Sequence, residues 1–236
     1  MIQFYAPDIA ETFSLPEDEA KHCVRVLRHK IGDVIEVIDG KGKRYHCRIT
    51  DDNPRRMAVE IVDSVDEPLS WETFITIAVA PTKNMDRMEW LVEKLTEIGI
   101  NRFVPLLCRH SERKELKIDR LQRIAVSAMK QSLKATLPII ESMTPFNAFV
   151  QNDNSEARFI AYCDSTIPRL LLAKEYKSSK SVTILIGPEG DFDIEEIKMA
   201  LECGMKPITL GDNRLRTETA ALTACDTIHV LTQLYS

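Results

Sequence analysis

No apolar stretch of this sequence is long enough to cross a bilayer, which argues against a helical membrane span. The opening residues, Met1-Ile2-Gln3-Phe4-Tyr5-Ala6-Pro7-Asp8, lack a basic stretch followed by an apolar run, so they do not read as a signal peptide. The six cysteines, Cys23, Cys47, Cys108, Cys163, Cys203 and Cys225, contain no CxxC pair, and the five histidines do not cluster with them. That argues against a structural zinc site or a disulfide framework and fits a reducing cytoplasm; no metal is expected. No GxxxxGK[ST] stretch is present, which disfavours a P-loop nucleotidase. Positive charge is in short supply: 31 Lys and Arg stand against 36 Asp and Glu, a formal net charge of -5. Any nucleic-acid contact must therefore come from local patches. Repeats and low-complexity segments are missing too. What remains is a chain of 236 residues, 44% hydrophobic, 28% charged and 6% aromatic. That is enough for a sizeable core in one large or two smaller domains.

The first part reads as a small β-rich module. Pro16 to His29 reads as a helix, with Glu17, Asp18 and Glu19 at its start and Arg28, His29 and Lys30 at its end, where the helix dipole favours each sign. Val34 to Ile38 ends in the turn signal Asp39-Gly40-Lys41-Gly42, and Arg44 to Ile49 and Met57 to Val62 are further strands. A boundary is expected near Asp66-Glu67-Pro68-Leu69-Ser70, giving domains 1–68 and 69–236. The second part alternates strands and helices. Strands are expected at Phe74 to Ala80, Phe103 to Leu107, Arg158 to Tyr162, Val182 to Ile186 and Ile208 to Leu210. Helices are expected at Met85 to Ile98, Asp119 to Leu133, Asp193 to Cys203 and Glu218 to Leu234. In the third of these, Asp193 and Glu196 form a capping-box pattern. Such alternation predicts an α/β fold with a mostly parallel sheet and helices on both faces.

Two loops carry the chemistry. Ile186-Gly187-Pro188-Glu189-Gly190-Asp191-Phe192 joins a buried strand to a capped helix. Leu210-Gly211-Asp212-Asn213-Arg214-Leu215-Arg216-Thr217-Glu218-Thr219-Ala220 does the same one unit later. Ligands of open α/β sheets bind beyond the carboxyl ends of the strands, and glycines there let main-chain groups approach them. A Gly-Pro-x-Gly stretch taken alone is more often a tight turn, and Thr217 and Thr219 alone more often helix caps. The occurrence of both loops in consecutive units shifts the balance toward a ligand site.

These loops carry a resemblance. Gly187-Pro188-Glu189-Gly190 resembles the GPEGG loop of the RsmE family, and Leu210-Gly211 through Leu215-Arg216-Thr217-Glu218-Thr219-Ala220 resembles its LGxxxLRTETA loop. Lys83, Arg87-Met88-Glu89, Lys94, Glu97, Ile98 and Gly99 are similar to its helix motif, and His22, Val26, Leu27, Arg28 and Gly32-Asp33 to its N-terminal segment. Departures are Gln3, Lys130, Lys134, Asp191, Asn213 and Arg214. The resemblance implies a SPOUT α/β trefoil-knot methyltransferase domain preceded by a small PUA-like β-barrel, with S-adenosylmethionine as cofactor. It also implies a cytoplasmic homodimer that methylates N3 of a uridine in 16S rRNA of the small ribosomal subunit (family target m3U1498), with the assembled 30S subunit as its substrate.

Carried over residue by residue, cofactor contacts fall on Leu185, Ile186, Gly187, Gly190, Leu210, Gly211, Leu215, Arg216, Thr217, Thr219 and Ala220. Glu189, Arg216 and Glu218 are the polar residues expected nearest the chemistry. Uracil N3–H is weakly acidic, so the site needs a proton acceptor, for which Glu189 is the candidate, and a stabiliser of negative charge on a uracil oxygen, for which Arg216 is the candidate. The competing reading of both is a salt bridge that shapes the loops. RNA contact is expected from Arg25, Arg28 and Arg113 within two basic stretches, although a solvated charged face is the commoner fate of such residues. Two alternatives differ in kind: a SPOUT enzyme acting on a ribose 2′-hydroxyl, and an RNA-binding assembly factor without catalysis.

Overall fold

The structure is a computed structural model and describes residues 2–164 and 168–235. Its contacts divide the chain into two compact units, one holding the residues up to Ser70 together with Val126–Leu137, the other holding Trp71–Ala125 and the chain from Pro138 onward.

In chain order the first unit contains β1 (Gln3–Tyr5), α1 (Ile9–Thr12), α2 (Glu17–Lys21), a π-helical turn (His22–Val26), β2 (Val34–Ile38), β3 (Lys43–Asp51) and β4 (Ala58–Asp66). Strand β1 runs parallel to β2, while β2, β3 and β4 pair antiparallel in sequence. Period-two alternation explains β3: Tyr45, Cys47 and Ile49 are buried, while Arg48 between them points to solvent. These side chains close a core with Phe4, Ile9, Ala20, Cys23, Ile35, Val37 and Met57. The β2–β3 turn forms because the Asp39 carboxylate accepts from the amides of Lys41 and Lys43, at 2.7 and 3.1 Å.

The helix expected over Pro16–His29 is not continuous. After α2 the chain widens into the π-turn, with Leu27 N bonded to His22 O at 3.1 Å. Arg28 then adopts a left-handed φ of 62°, and His29 N reaches back to Cys23 O at 3.1 Å. That closure, spanning seven residues from Cys23 to His29 around a left-handed residue, is a helix-ending device, so the chain stops where propensity alone would continue. Strand β1 was not legible in the sequence.

The second unit adds β5 (Phe74–Val79), α3 (Met85–Ile98), β6 (Arg102–Leu107), α4 (Ile118–Gln131, whose last turns belong to the first unit), β7 (Ile139–Ile140), β8 (Thr144–Pro145), α5 (Phe146–Asn152), β9 (Ala157–Ala161), β10 (Leu170–Leu171), α6 (Leu172–Glu175), β11 (Ser181–Ile186), α7 (Ile194–Glu202), β12 (Lys206–Thr209) and α8 (Thr217–Tyr235). Among the described residues its strands form an all-parallel sheet in the order β10-β12-β9-β11-β5-β6-β7, with β8 also on β6. Both faces are covered, so strands read as continuous buried runs such as Val182 to Ile186, apolar except for Thr183. Ala78, Val104, Ile160 and Leu185 share a core with Phe146, Phe149, Ile197 and Ala200 of α5 and α7. Helix α8 lies along α3 and against β5 and β11. The expected parallel sheet with helices on both faces is thus observed. Helix α3 ends at Gly99 as expected, and the Asp193–Glu196 capping box is formed.

Candidate active site

Parallel strands place all their carboxyl ends along one edge of the sheet. The two glycine loops leave that edge from β11 and β12. These strands are consecutive in the chain but not neighbours in the sheet, because β9 lies between them and pairs with both. The loops nevertheless meet. Thr217, at the start of α8 and buried, donates its hydroxyl to the Gly187 carbonyl at 3.1 Å.

Each loop depends on its glycine for a different reason. A Cβ on Gly187 would lie 3.1 Å from Phe192 Cδ2 and 3.2 Å from Phe192 N, so the buried Phe192 ring can cover the loop only if no side chain stands there. Gly211 has open space around it, but its φ of 132° is closed to ordinary side chains.

The remaining expected cofactor residues gather around this junction. Leu185 and Ile186 are buried at the end of β11; Leu210, Leu215 and Ala220 are half-buried; Gly190, Arg216 and Thr219 are exposed. The donor set fits S-adenosylmethionine. Apolar Leu210 and Leu215 can flank an adenine ring, and Gly211 presents no side chain to a ligand, its own carbonyl accepting from the Thr209 hydroxyl at 2.9 Å and its amide donating to the same oxygen at 3.3 Å. The long helix α8 starts here and turns its N-terminal amides toward the same junction.

The charged candidates separate. Glu189 is exposed, and its Oε1 accepts from Lys83 N at 3.1 Å. Glu218 is buried, its side chain 10% exposed, and faces Arg87 Nε at 3.7 Å. Arg216 projects into solvent. Arg113 does not stand free: its Nε and Nη2 donate to the carbonyls of Thr82 and Lys83, the latter being the residue whose amide holds Glu189. Arg25 and Arg28 are exposed residues of the first unit, in and just after the π-turn. Sequence reasoning assigned no role to Arg87 or Lys83, although both lie in the stretch singled out as the third motif.

A third loop, Cys108–Ser111 after β6, touches the first glycine loop. Arg109 N donates to Glu196 Oε1 at 2.9 Å, and Arg109 Nη1 donates to Asp193 Oδ1 at 2.8 Å. The Asp193 carboxyl is held below its ordinary range, first by the Glu195 backbone N–H and then by the Arg109 charge. Burial pushes the neighbouring Cys108 thiol far up, which makes it an inert core residue.

Residues 70–229 match the family described as RNA methyltransferase domain, and residues 15–62 match the RNA methyltransferase PUA domain. A crystal structure of a probable rRNA-methyltransferase from Porphyromonas gingivalis is similar with a TM-score of 0.95 and 43% identity, over 100% of both chains. The structure of a ribosomal RNA small subunit methyltransferase E from Neisseria gonorrhoeae, bound to S-adenosyl methionine, is similar with a TM-score of 0.85 and 27% identity, over 98% of both chains. A ribosomal RNA small subunit methyltransferase E from Rickettsia conorii is 29% identical over 219 residues, 92% of this chain and 89% of its own length. With a family match that spans the whole parallel sheet and both glycine loops, and a second over the β-rich unit, the chain belongs to the RNA methyltransferases and, among them, to the RsmE family.

Proposed function

We propose that this chain uses S-adenosylmethionine to methylate N3 of a uridine in 16S rRNA, the family target m3U1498, as a cytoplasmic homodimer acting on the assembled 30S subunit. The observation that carries the reading is the junction of the two glycine loops, tied by Thr217 Oγ1 to Gly187 O at 3.1 Å on the carboxyl edge of a parallel sheet. Family membership supplies the reaction class.

A trefoil knot of the SPOUT kind is part of this proposal. In its support, β12 pairs with β9 on the side away from β5, yet the helix that follows it, α8, returns to lie against β11 and β5. Homodimerisation is supported by apolar side chains exposed on α3 and α8, namely Trp90, Val230, Leu234 and Tyr235. The domain division proposed for function remains 1–68 for RNA holding and 69–236 for methyl transfer.

S-Adenosylmethionine, when bound, supplies an already activated methyl on a sulfonium. The protein's task is to align uracil N3 with it and to accommodate the departing proton. The main-chain groups of Gly187, Gly190, Leu210, Gly211, Leu215, Arg216, Thr217, Thr219 and Ala220, with Leu185 and Ile186 beneath them, hold the cofactor. Glu189 uses one carboxylate oxygen on the Lys83 amide, which fixes its side chain and leaves the other oxygen to accept the N3 proton. Arg216, extended into solvent, stabilises negative charge on a uracil oxygen. Glu218 acts from below, holding Arg87 against the start of α8. In the first unit, Arg25 and Arg28 contact phosphates; Arg113, bound to two carbonyls, supports the site by holding Lys83.

The test is nucleoside mass spectrometry of 16S rRNA from a strain lacking the gene, complemented with the wild type or E189Q. Loss of 3-methyluridine in the deletion and its return with the wild type are expected. Loss of a ribose-methylated nucleoside instead establishes the 2′-hydroxyl alternative. A wild-type protein that binds no S-adenosylmethionine in calorimetry establishes the assembly-factor alternative. An E189Q enzyme with the wild-type rate removes Glu189 as the proton acceptor.

A further inference from the structure

The first glycine loop contains a non-glycine residue in a backbone conformation that side chains avoid. Asp191 has a φ of 62°, and its amide closes a turn onto Pro188 O at 2.9 Å. Aspartate is among the few residues that tolerate this region, but it does so at a cost relative to glycine. The carboxylate offsets that cost with two main-chain hydrogen bonds in different directions. Oδ1 accepts from its neighbour Phe192 N at 2.9 Å, and Oδ2 accepts from Cys163 N at 2.8 Å, just beyond the end of β9. On the other side, the Asp191 carbonyl lies 3.1 Å from His110 Nδ1.

The consequence is mechanical. β9 is the strand that separates β11 from β12, so a bond from the first loop to the end of β9 fixes that loop over the gap the second loop must reach. Fixing the Phe192 amide also fixes the Phe192 ring, which covers Gly187 and packs tilted against Phe146 with ring centroids 5.4 Å apart. The Gly187 carbonyl then faces Thr217. A chain of direct contacts thus runs from Cys163 through Asp191, Phe192 and Gly187 to the start of α8.

We propose that Asp191 is a positioning residue for the cofactor: its carboxylate, bridging the end of β9 and the Phe192 amide, holds the Gly187–Gly190 turn in the geometry that binds S-adenosylmethionine. This rests on the function proposed above. The left-handed backbone and the carboxylate can be separated by substitution. Asp191→Gly keeps the backbone free to adopt the turn and removes both acceptors. Asp191→Asn tolerates the same backbone and keeps one acceptor oxygen, so it can serve one of the two amides.

The measurement is steady-state methyl transfer with S-adenosylmethionine varied, together with calorimetric binding of S-adenosylmethionine and hydrogen exchange at the Cys163 amide. The expected order of KM is wild type, then D191N, then D191G, with D191N raised by about tenfold, the size of one hydrogen bond to a charged acceptor, and D191G, which loses both bonds, raised further. Turnover is expected to change by less than about twofold, as for a residue that acts on binding alone. Exchange at Cys163 should accelerate in D191G. D191G with the wild-type KM overturns the proposal, as does a fall in kcat at unchanged KM. D191N, which retains half of the clamp, carries the same comparison should D191G fail to fold. A wild-type protein that binds no S-adenosylmethionine overturns the functional reading itself, an outcome separate from any behaviour of the variants.

Discussion

Replacing Thr217 by valine isolates the bond that joins the two glycine loops. Thr217 is 6% exposed, and its hydroxyl is 3.1 Å from the Gly187 carbonyl. Valine preserves the branched shape and most of the buried apolar contact, so the main loss is the donor. The Gly187 carbonyl is then left unmatched in a buried setting, at about 1–3 kcal/mol. In a chain of this length that corresponds to a Tm lower by about 2–4 °C per kcal/mol. Whatever part of the loss reflects loops out of register also weakens cofactor binding, at tenfold for each ~1.4 kcal/mol, so the largest expected decrease in affinity is about a hundredfold. Thr217→Ser is the control. It keeps the hydroxyl and loses one methyl group, about 0.8 kcal/mol of burial, and so should lower Tm slightly while leaving affinity intact. Thermal unfolding paired with calorimetric titration of S-adenosylmethionine reads both quantities. If T217V binds as tightly as the wild type, or T217S loses as much affinity as T217V, the loops are not coupled through this bond and the reasoning fails.

The two glycines should fail for different reasons. Gly187→Ala is expected to lower Tm by displacing Phe192, whereas Gly211→Ala meets no atom and should cost about 1–2 kcal/mol through backbone strain alone; restored stability in G187A/F192L, with no effect of F192L on G211A, checks the distinction by thermal unfolding. His46 on β3 has its pKa raised, chiefly by its bond to the Asp63 carboxylate across the β3–β4 pair. A folded-state pKa above the unfolded one means that this contribution is complete below the ordinary histidine value and disappears as pH rises through the raised one, so the stability gap between wild type and His46→Ala should shrink across that window in denaturant titrations. Substituting Arg25 and Arg28 together by alanine should reduce the salt slope of RNA binding by about two phosphate contacts; an unchanged slope removes both from the interface.

The elements legible in the sequence were those whose signals are local. The span of α3 follows from its apolar spacing and Gly99, and the start of α7 from Asp193, whose side chain accepts from Glu195 N at 2.9 Å while its own amide donates to Glu196 Oε2 at 3.0 Å. The loops with their glycines were legible for the same reason. What escaped was set by distant partners. Nothing near Arg113 in the chain says that its guanidinium will find the Thr82 and Lys83 carbonyls, and nothing near Glu218 says that Arg87 will stand opposite. The insertion of β9 between β11 and β12 is likewise a decision of the whole sheet. Asp191 reads from the sequence only as a departure from a glycine; its purpose depends on Cys163 N lying within reach. The π-turn was hidden because the residues of a π-turn and an α-helix are the same, and the closure onto Cys23 O decides between them.

The net charge of -5 makes the distribution of cations more telling than their number. Most basic side chains of the first unit are already engaged: Arg44 with Glu36 and Glu67, Lys43 with Asp66, Arg48 with Glu60, Lys130 with Glu19. A phosphate arriving at any of these must compete with a carboxylate already in place. Arg25 and Arg28 are instead exposed and, among the described residues, in no ion pair, as are Lys30 and Arg55. Arg25 and Arg28 belong to the π-turn and its left-handed exit, the very feature that departs from a regular helix. A polyanion approaching an acidic protein is repelled by most of its surface and attracted where unpaired cations stand, so a few such residues can orient it as well as bind it. The irregular backbone at Arg28 therefore has a functional reading that a regular helix would not offer: it turns two arginines outward in a unit most of whose other cations are paired with neighbouring carboxylates.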